Sequence, residues 1–126
     1  MAWVDLVCVL ALLQAVFFGV MVGSARAKYG VQAPAVSGHP MFERMYRVQM
    51  NTLELLMAFV PALYLAARYW SPQWVAATGA IFLLGRLVYW RAYLRDPASR
   101  SLGFGLSAFP VLALLAATLL GIARTL

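Results

Sequence analysis

Four long apolar stretches, roughly residues 2–24, 50–70, 73–92 and 103–123, occupy most of the 126 residues of this chain. Each approaches the ~20 residues that cross a hydrocarbon core about 30 Å thick. Such a core offers no water to backbone N–H and C=O groups, so each stretch has to be a helix. The expected fold is an all-α integral membrane four-helix bundle, one domain over residues 1–126. Its spans should lie near 2–25, 41–69, 73–95 and 97–124. Charged residues make up only 11% of the chain, against about 25% in soluble domains, which leaves little for a separate soluble domain. The first stretch has no basic flank, since Asp5 is its only early charge. It is also longer than the ~7–15 apolar residues of a signal peptide, so a retained first span is expected.

Placement of charge then sets the orientation. The formal net charge is +6, and Arg26, Lys28, Arg44, Arg47, Arg86, Arg91, Arg95 and Arg100 fall near the first–second or third–fourth connections. Only Arg68 and Arg124 lie toward the other side. The excess of Arg and Lys puts both basic connections in the cytoplasm and both termini on the opposite side. Basic residues at helix ends beside a membrane give no reason to expect nucleic acid as a partner. Cys8 is the single cysteine and His39 the single histidine. Cys8 reads as a small packing residue. His39 has no Cys, His, Asp or Glu cluster around it in the sequence, so no metal site is expected.

Local signals refine the helices. Gln14 is the one strongly polar mid-span residue of the first, placed to bond to a neighbouring helix. Gly19 and Gly23 form a small-x-x-x-small pair that permits close approach. Residues 29–40 are a Gly- and Pro-rich loop. Pro61 and Pro110 fall inside the second and fourth helices and are candidate kinks. Ser71-Pro72 is a short turn, so helices two and three should be antiparallel. Asp96-Pro97 is a helix start, with Asp as cap and Pro at the first position. This places Arg100 in the first turn of helix four.

Polar groups concentrate between Phe42 and Glu54, at the mouth of helix two: four charges and two amides lead straight into an apolar run. Charges in a membrane are costly and generally face a bundle interior, where they mark function. Arg47, Asn51 and Glu54 stand at i, i+4 and i+7, on one stripe. Gln49 is rotated about 200° from Arg47 and points nearly opposite. One protomer cannot bury both faces, which argues for an oligomer with sites between subunits. On helix three, Arg86, Tyr89 and Tyr93 make a second stripe. Trp90, Arg91 and Arg95 read as an interfacial belt. Arg86 lies deeper and needs a partner, for which Glu54 is the natural candidate. Abundant arginine suits carboxylates, and Glu54 suits an ammonium group. A small zwitterion with extra negative charge fits; glutathione is one such ligand, among other acidic ones.

The run Phe42 to Glu54, Phe-Glu-Arg-x-Tyr-Arg-x-Gln-x-Asn-x-x-Glu, resembles the helix-two signature of the MAPEG proteins (membrane-associated proteins in eicosanoid and glutathione metabolism). Arg86, Tyr89 and Tyr93 are similar to that family's Arg-x-x-Tyr-x-x-x-Tyr segment. Arg100 follows Tyr93, and Arg26 precedes the helix-two run, at matching intervals. The likeness is nearest to the microsomal glutathione transferase and leukotriene C4 synthase branch, in a short bacterial-type form. It implies a homotrimer in membrane lipid, with glutathione bound between neighbours on the cytoplasmic side. Arg47, Asn51, Glu54, Arg86, Tyr89 and Tyr93 of one protomer would hold glutathione. Arg26 and Gln49 would reach in from the next, and Arg100 would face the sulfur as the catalytic residue. The implied chemistry is conjugation of the thiolate to a lipophilic electrophile or reduction of a lipid hydroperoxide, without a metal. Leu55 and Ala27 stand where the leukotriene synthase branch has Tyr and Arg, so general conjugation or peroxidase activity is expected over leukotriene synthesis. Two other readings compete. One is a non-catalytic lipid- or glutathione-binding protein of the lipoxygenase-activator type, against which Tyr93 and Arg100 weigh. The other is a small multidrug transporter, which would need an embedded carboxylate in the first helix.

Overall fold

The computed structural model describes residues 1–126. It contains four helices, α1 (Ala2–Tyr29), α2 (Pro40–Ala67), α3 (Pro72–Arg95) and α4 (Ser101–Thr125), with a single 3-10 turn at Pro97–Ser99 before α4. All four are long and apolar enough to span a membrane. The protein is a multi-pass integral membrane protein. α2 and α3 form the centre of the bundle; α1 packs against both from one side and α4 from the other, so α1 and α4 lie diagonally.

Helix ends follow local chemistry, with three departures from the sequence expectation. α1 runs four residues past Ala25, because Arg26, Ala27 and Lys28 sustain a helix and the two basic side chains suit its C-terminal dipole. It stops where Gly30 turns left-handed at φ 69°, a conformation that costs glycine nothing. α2 opens on His39: its Nδ1 accepts from the Met41 N–H at 3.1 Å, with Pro40 in the first position. His39 is a helix cap, stacked 4.2 Å from Tyr29. The third departure is at Asp96. It does cap, accepting from the Ala98 N–H at 3.1 Å, but the segment it caps is the 3-10 turn. Ser99 Oγ closes that turn on the Asp96 and Ala92 carbonyls. Arg100 is therefore the residue before α4, at its N-cap, and not inside its first turn.

Two packed clusters share the interior. The larger includes Val4, Val7, Cys8, Phe59, Leu63, Phe82 and Leu114. Its centre is the Phe59–Phe82 stack, with ring centroids 3.9 Å apart. Cys8 is a free, buried packing residue as expected. The smaller cluster, around Phe18, Phe42, Met45, Val48 and Tyr89, lies toward the basic connections. Between helices in lipid, van der Waals contact and hydrogen bonds supply association where the hydrophobic effect does not. The closest approach is α3 to α4. A Cβ on Gly85 would stand 2.6 Å from the Leu106 backbone, and one on Gly103 would collide with the Tyr89 backbone. The Gly19–Gly23 pair is looser: Gly19 meets only the Gln49 side chain, at 3.1 Å, and Gly23 meets nothing. Gln14 does cross to a neighbour, donating to the Leu83 carbonyl of α3 at 3.0 Å.

Candidate functional site

The tight α3–α4 seam and the polar stripe of α2 meet at the basic end of the bundle. There Arg47, Asn51, Tyr89, Tyr93, Arg100 and Phe104 line a half-open groove of about 570 Å³. α2 supplies Arg47 and Asn51 one turn apart. α3 supplies Tyr89 and Tyr93, whose rings stack with centroids 5.4 Å apart and planes 15° from parallel. α4 supplies Arg100 at its N-terminus and Phe104 one turn on. Five of the nine residues expected from the sequence thus share one cavity.

The other four sit differently. Glu54 stands on the same stripe but outside the groove lining, and its Oε1 accepts from Arg47 Nη1 at 3.2 Å. Both side chains are more than half exposed. The expected Arg86–Glu54 pair does not form. Two helical turns, about 10.5 Å of rise, separate Arg47 from Glu54, and both side chains are long enough to close that gap on one helix face. Arg86 is instead wholly buried behind the groove. Its Nη1 donates to Asn51 Oδ1 at 2.7 Å and Thr52 Oγ1 at 3.1 Å, and its Nε to Ser107 Oγ at 2.9 Å. Its guanidinium carbon lies 4.4 Å over the Tyr89 ring. Arg26 and Gln49 belong to the α1 side, away from the groove. Arg26 donates to the Ala35 carbonyl at 2.6 Å and sits 4.8 Å over Phe42; Gln49 lies beside Gly19. The opposite-facing Gln49 stripe is therefore real, and within one protomer it does not reach the site.

Sequence reasoning missed four participants. Thr52 and Ser107 complete the acceptor set of Arg86. Each hydroxyl also donates to its own helix, Thr52 to Val48 at 2.8 Å and Ser107 to Gly103 at 2.6 Å. Phe104 brings an apolar wall to an otherwise polar groove. Arg44 donates to the Leu94 and Arg95 carbonyls, at 2.9 and 3.4 Å, and so ties the start of α2 to the end of α3. The available signals were Gly85 beside Arg86 and the Gly103-x-x-x-Ser107 pair beside Arg100, both marks of a close crossing. Trp90, read as a membrane-interface belt residue, is half-buried against α1, in T-shaped contact with Phe17 at 5.4 Å. Arg91 and Arg95 are exposed, as a belt requires.

The groove's fixed charge is positive, and Arg47 and Arg100 carry it. The α4 N-terminus adds the positive end of a helix dipole where Arg100 stands. Arg100 donates only to the Pro97 carbonyl of its own turn, at 3.3 Å, and meets no carboxylate within the chain. Its position beside two phenols and an aromatic wall suits an anion at the boundary between water and lipid.

A polytopic four-helix membrane protein with an arginine- and tyrosine-lined groove at one end is the class that fold and site define. The profile of the MAPEG family matches residues 4–120, and the chain belongs to that family. It is 42% identical to an uncharacterized protein of Synechocystis sp. over 95% of this chain and 88% of that one. To human microsomal glutathione S-transferase 2 it is 39% identical, over 91% of this chain and 76% of the relative. To bovine leukotriene C4 synthase it is 33% identical, over 92% and 77%.

Proposed function

We propose that the protein is a membrane-embedded glutathione transferase, with peroxidase activity toward lipid hydroperoxides, that activates glutathione as a thiolate. The observation that carries this reading is the convergence of Arg47, Asn51, Tyr89, Tyr93 and Arg100 on one groove, in a chain whose relatives include a glutathione S-transferase. Free thiols are mostly protonated at neutral pH, and the thiolate is the nucleophile. A guanidinium with no internal counter-charge favours the anion, and Arg100 meets that description. The thiol proton leaves to water at the open side of the groove. The thiolate then forms a C–S bond with an electrophilic carbon of a lipophile arriving from the bilayer, by adding to an activated double bond or expelling a leaving anion. Alternatively it attacks the peroxide oxygen of a lipid hydroperoxide, breaking the O–O bond to release the alcohol. A second glutathione converts the resulting sulfenic acid to the disulfide and water. Arg47 pairs with a carboxylate of glutathione, and Glu54, beside Arg47, takes the ammonium group.

The working unit is a homotrimer in this reading, with Arg26 and Gln49 completing a neighbour's site. Support comes from their position on the α1 side and from the exposed Arg47–Glu54 pair, which a lipid environment would leave uncovered. The groove faces the cytoplasm and the termini the other side, on the distribution of arginine.

The test is ultraviolet thiolate absorbance on adding glutathione to detergent-purified protein, with Arg100→Ala alongside. A signal in the wild type that is lost in the variant supports the enzyme. Bound glutathione without a thiolate signal points to the non-catalytic binding protein. Absence of binding removes glutathione from the proposal.

A further inference from the structure

Arg86 poses a problem that the groove alone does not answer. It is a fully buried cation in a membrane-spanning helix, and no carboxylate meets it; the chain's one ion pair is Arg47–Glu54. Three neutral oxygens, from Asn51, Thr52 and Ser107, take its hydrogen bonds. Its Nη2 is sealed from solvent without a partner. A buried charge in this condition is held at a cost, so the arrangement calls for a reason beyond packing.

The reason lies in what Arg86 does to Asn51. A guanidinium has five donors and no acceptor. The Asn51 atom 2.7 Å from Nη1 must therefore be the carbonyl oxygen, since the reversed amide would set donor against donor. With the oxygen held inward, the Asn51 amide nitrogen is turned away from Arg86. It donates to nothing within the chain, it is not among the atoms sealed from solvent, and Asn51 lines the groove.

We propose that Arg86 is a positioning residue that does not touch substrate: it clamps the Asn51 carbonyl so that the Asn51 amide nitrogen is offered as a donor to a carboxylate of bound glutathione. The inference rests on the glutathione reading for the identity of the ligand, and on the structure alone for the clamp. It removes Arg86 from the set of direct ligand contacts that the family resemblance implies.

The clamp and the ligand contact respond oppositely to one substitution. Asn51→Asp keeps the oxygen facing Arg86, supplies the missing counter-charge and replaces the outward donor by a second acceptor. In ligand-free detergent-purified protein its Tm should equal or exceed that of the wild type, whereas Asn51→Ala should lower it. Glutathione affinity, measured by calorimetry, should fall about tenfold or more in Asn51→Asp, as expected when a charge-assisted donor becomes a like charge. Arg86→Lys keeps the charge but loses the fork geometry. It should raise the glutathione Kd several-fold in the wild-type background and leave it unchanged in the Asn51→Ala background, because Arg86 acts through Asn51. A lower Tm in Asn51→Asp, undiminished glutathione binding in that variant, or losses that multiply in the double variant would each overturn the assignment. A wild type that binds no glutathione would defeat the functional reading instead. The Tm of Asn51→Asp against Asn51→Ala would still decide whether the clamp exists.

Discussion

The two ends of the bundle draw on similar side chains and treat them differently. At the end holding the chain termini, Arg68 is exposed, while Tyr64, Trp70 and Arg124 are engaged within the chain. The Tyr64 hydroxyl donates to Asp5 at 2.8 Å, the Trp70 indole N–H to the Ala117 carbonyl at 2.7 Å, and Arg124 lies 5.3 Å over the Trp70 ring. The cavity left there, about 270 Å³ beside Trp70, Trp74 and Leu114, is almost wholly apolar. At the basic end, Arg86 absorbs three acceptors, yet the groove in front of it keeps the Asn51 amide nitrogen, the Tyr89 and Tyr93 hydroxyls and all of the Arg100 guanidinium but one bond to the Pro97 carbonyl unspent. Tyrosine and arginine at a membrane boundary are therefore not by themselves a functional signal. What separates a site from a belt is polar capacity left unused after the fold has been satisfied.

The sharpest way to break this contrast is Arg100. It is exposed and holds only its own turn, so Arg100→Ala should leave Tm unchanged while turnover with glutathione and a lipophilic electrophile falls roughly a hundredfold or more. A parallel loss of Tm would mean that the open end is structural after all. The α3–α4 seam should respond in the reverse sense. Gly85→Ala forces a Cβ into the Leu106 backbone and should cost about 3 kcal/mol of stability, read as thermal unfolding in detergent.

The Arg47–Glu54 pair should behave as part of the open end. Removing either side chain should weaken glutathione binding by roughly tenfold while changing stability by less than about 1 kcal/mol, as expected for an exposed pair. Calorimetry beside a melting curve separates the two effects. The smallest change belongs to Gln14, remote from the groove. Gln14→Leu loses the bond to the Leu83 carbonyl and should cost about 0.6 kcal/mol, with glutathione affinity unaltered.

Much of the molecule was legible in its sequence. Four apolar runs were sufficient for four helices, because lipid leaves the backbone no alternative. Helical spacing put Arg47 and Asn51 on one face and Gln49 on another, and the structure keeps them apart. Pairing across helices was the part that failed. Glu54 and Arg86 have complementary charge and comparable depth, yet Glu54 turns to Arg47 on its own helix and Arg86 takes neutral oxygens from α2 and α4. Charge identifies what a group wants; only the rotation of each helix about its axis determines what it can reach. The start of α4 failed for a local reason, since Asp96 and Ser99 together close a 3-10 turn that moves Arg100 to the helix N-cap.

The sequence by itself determined the spans, the basic end and the candidate residues at the mouths of α2 and α4. These come from one-dimensional periodicity and the cost of charge in lipid. The tertiary structure decided which of those residues share a cavity, and that Arg86 stands behind it. That outcome depends on Gly85 and Gly103, whose missing side chains let α3 and α4 touch along their backbones. The contact brings Ser107 to Arg86 and sets Tyr89 against the start of α4.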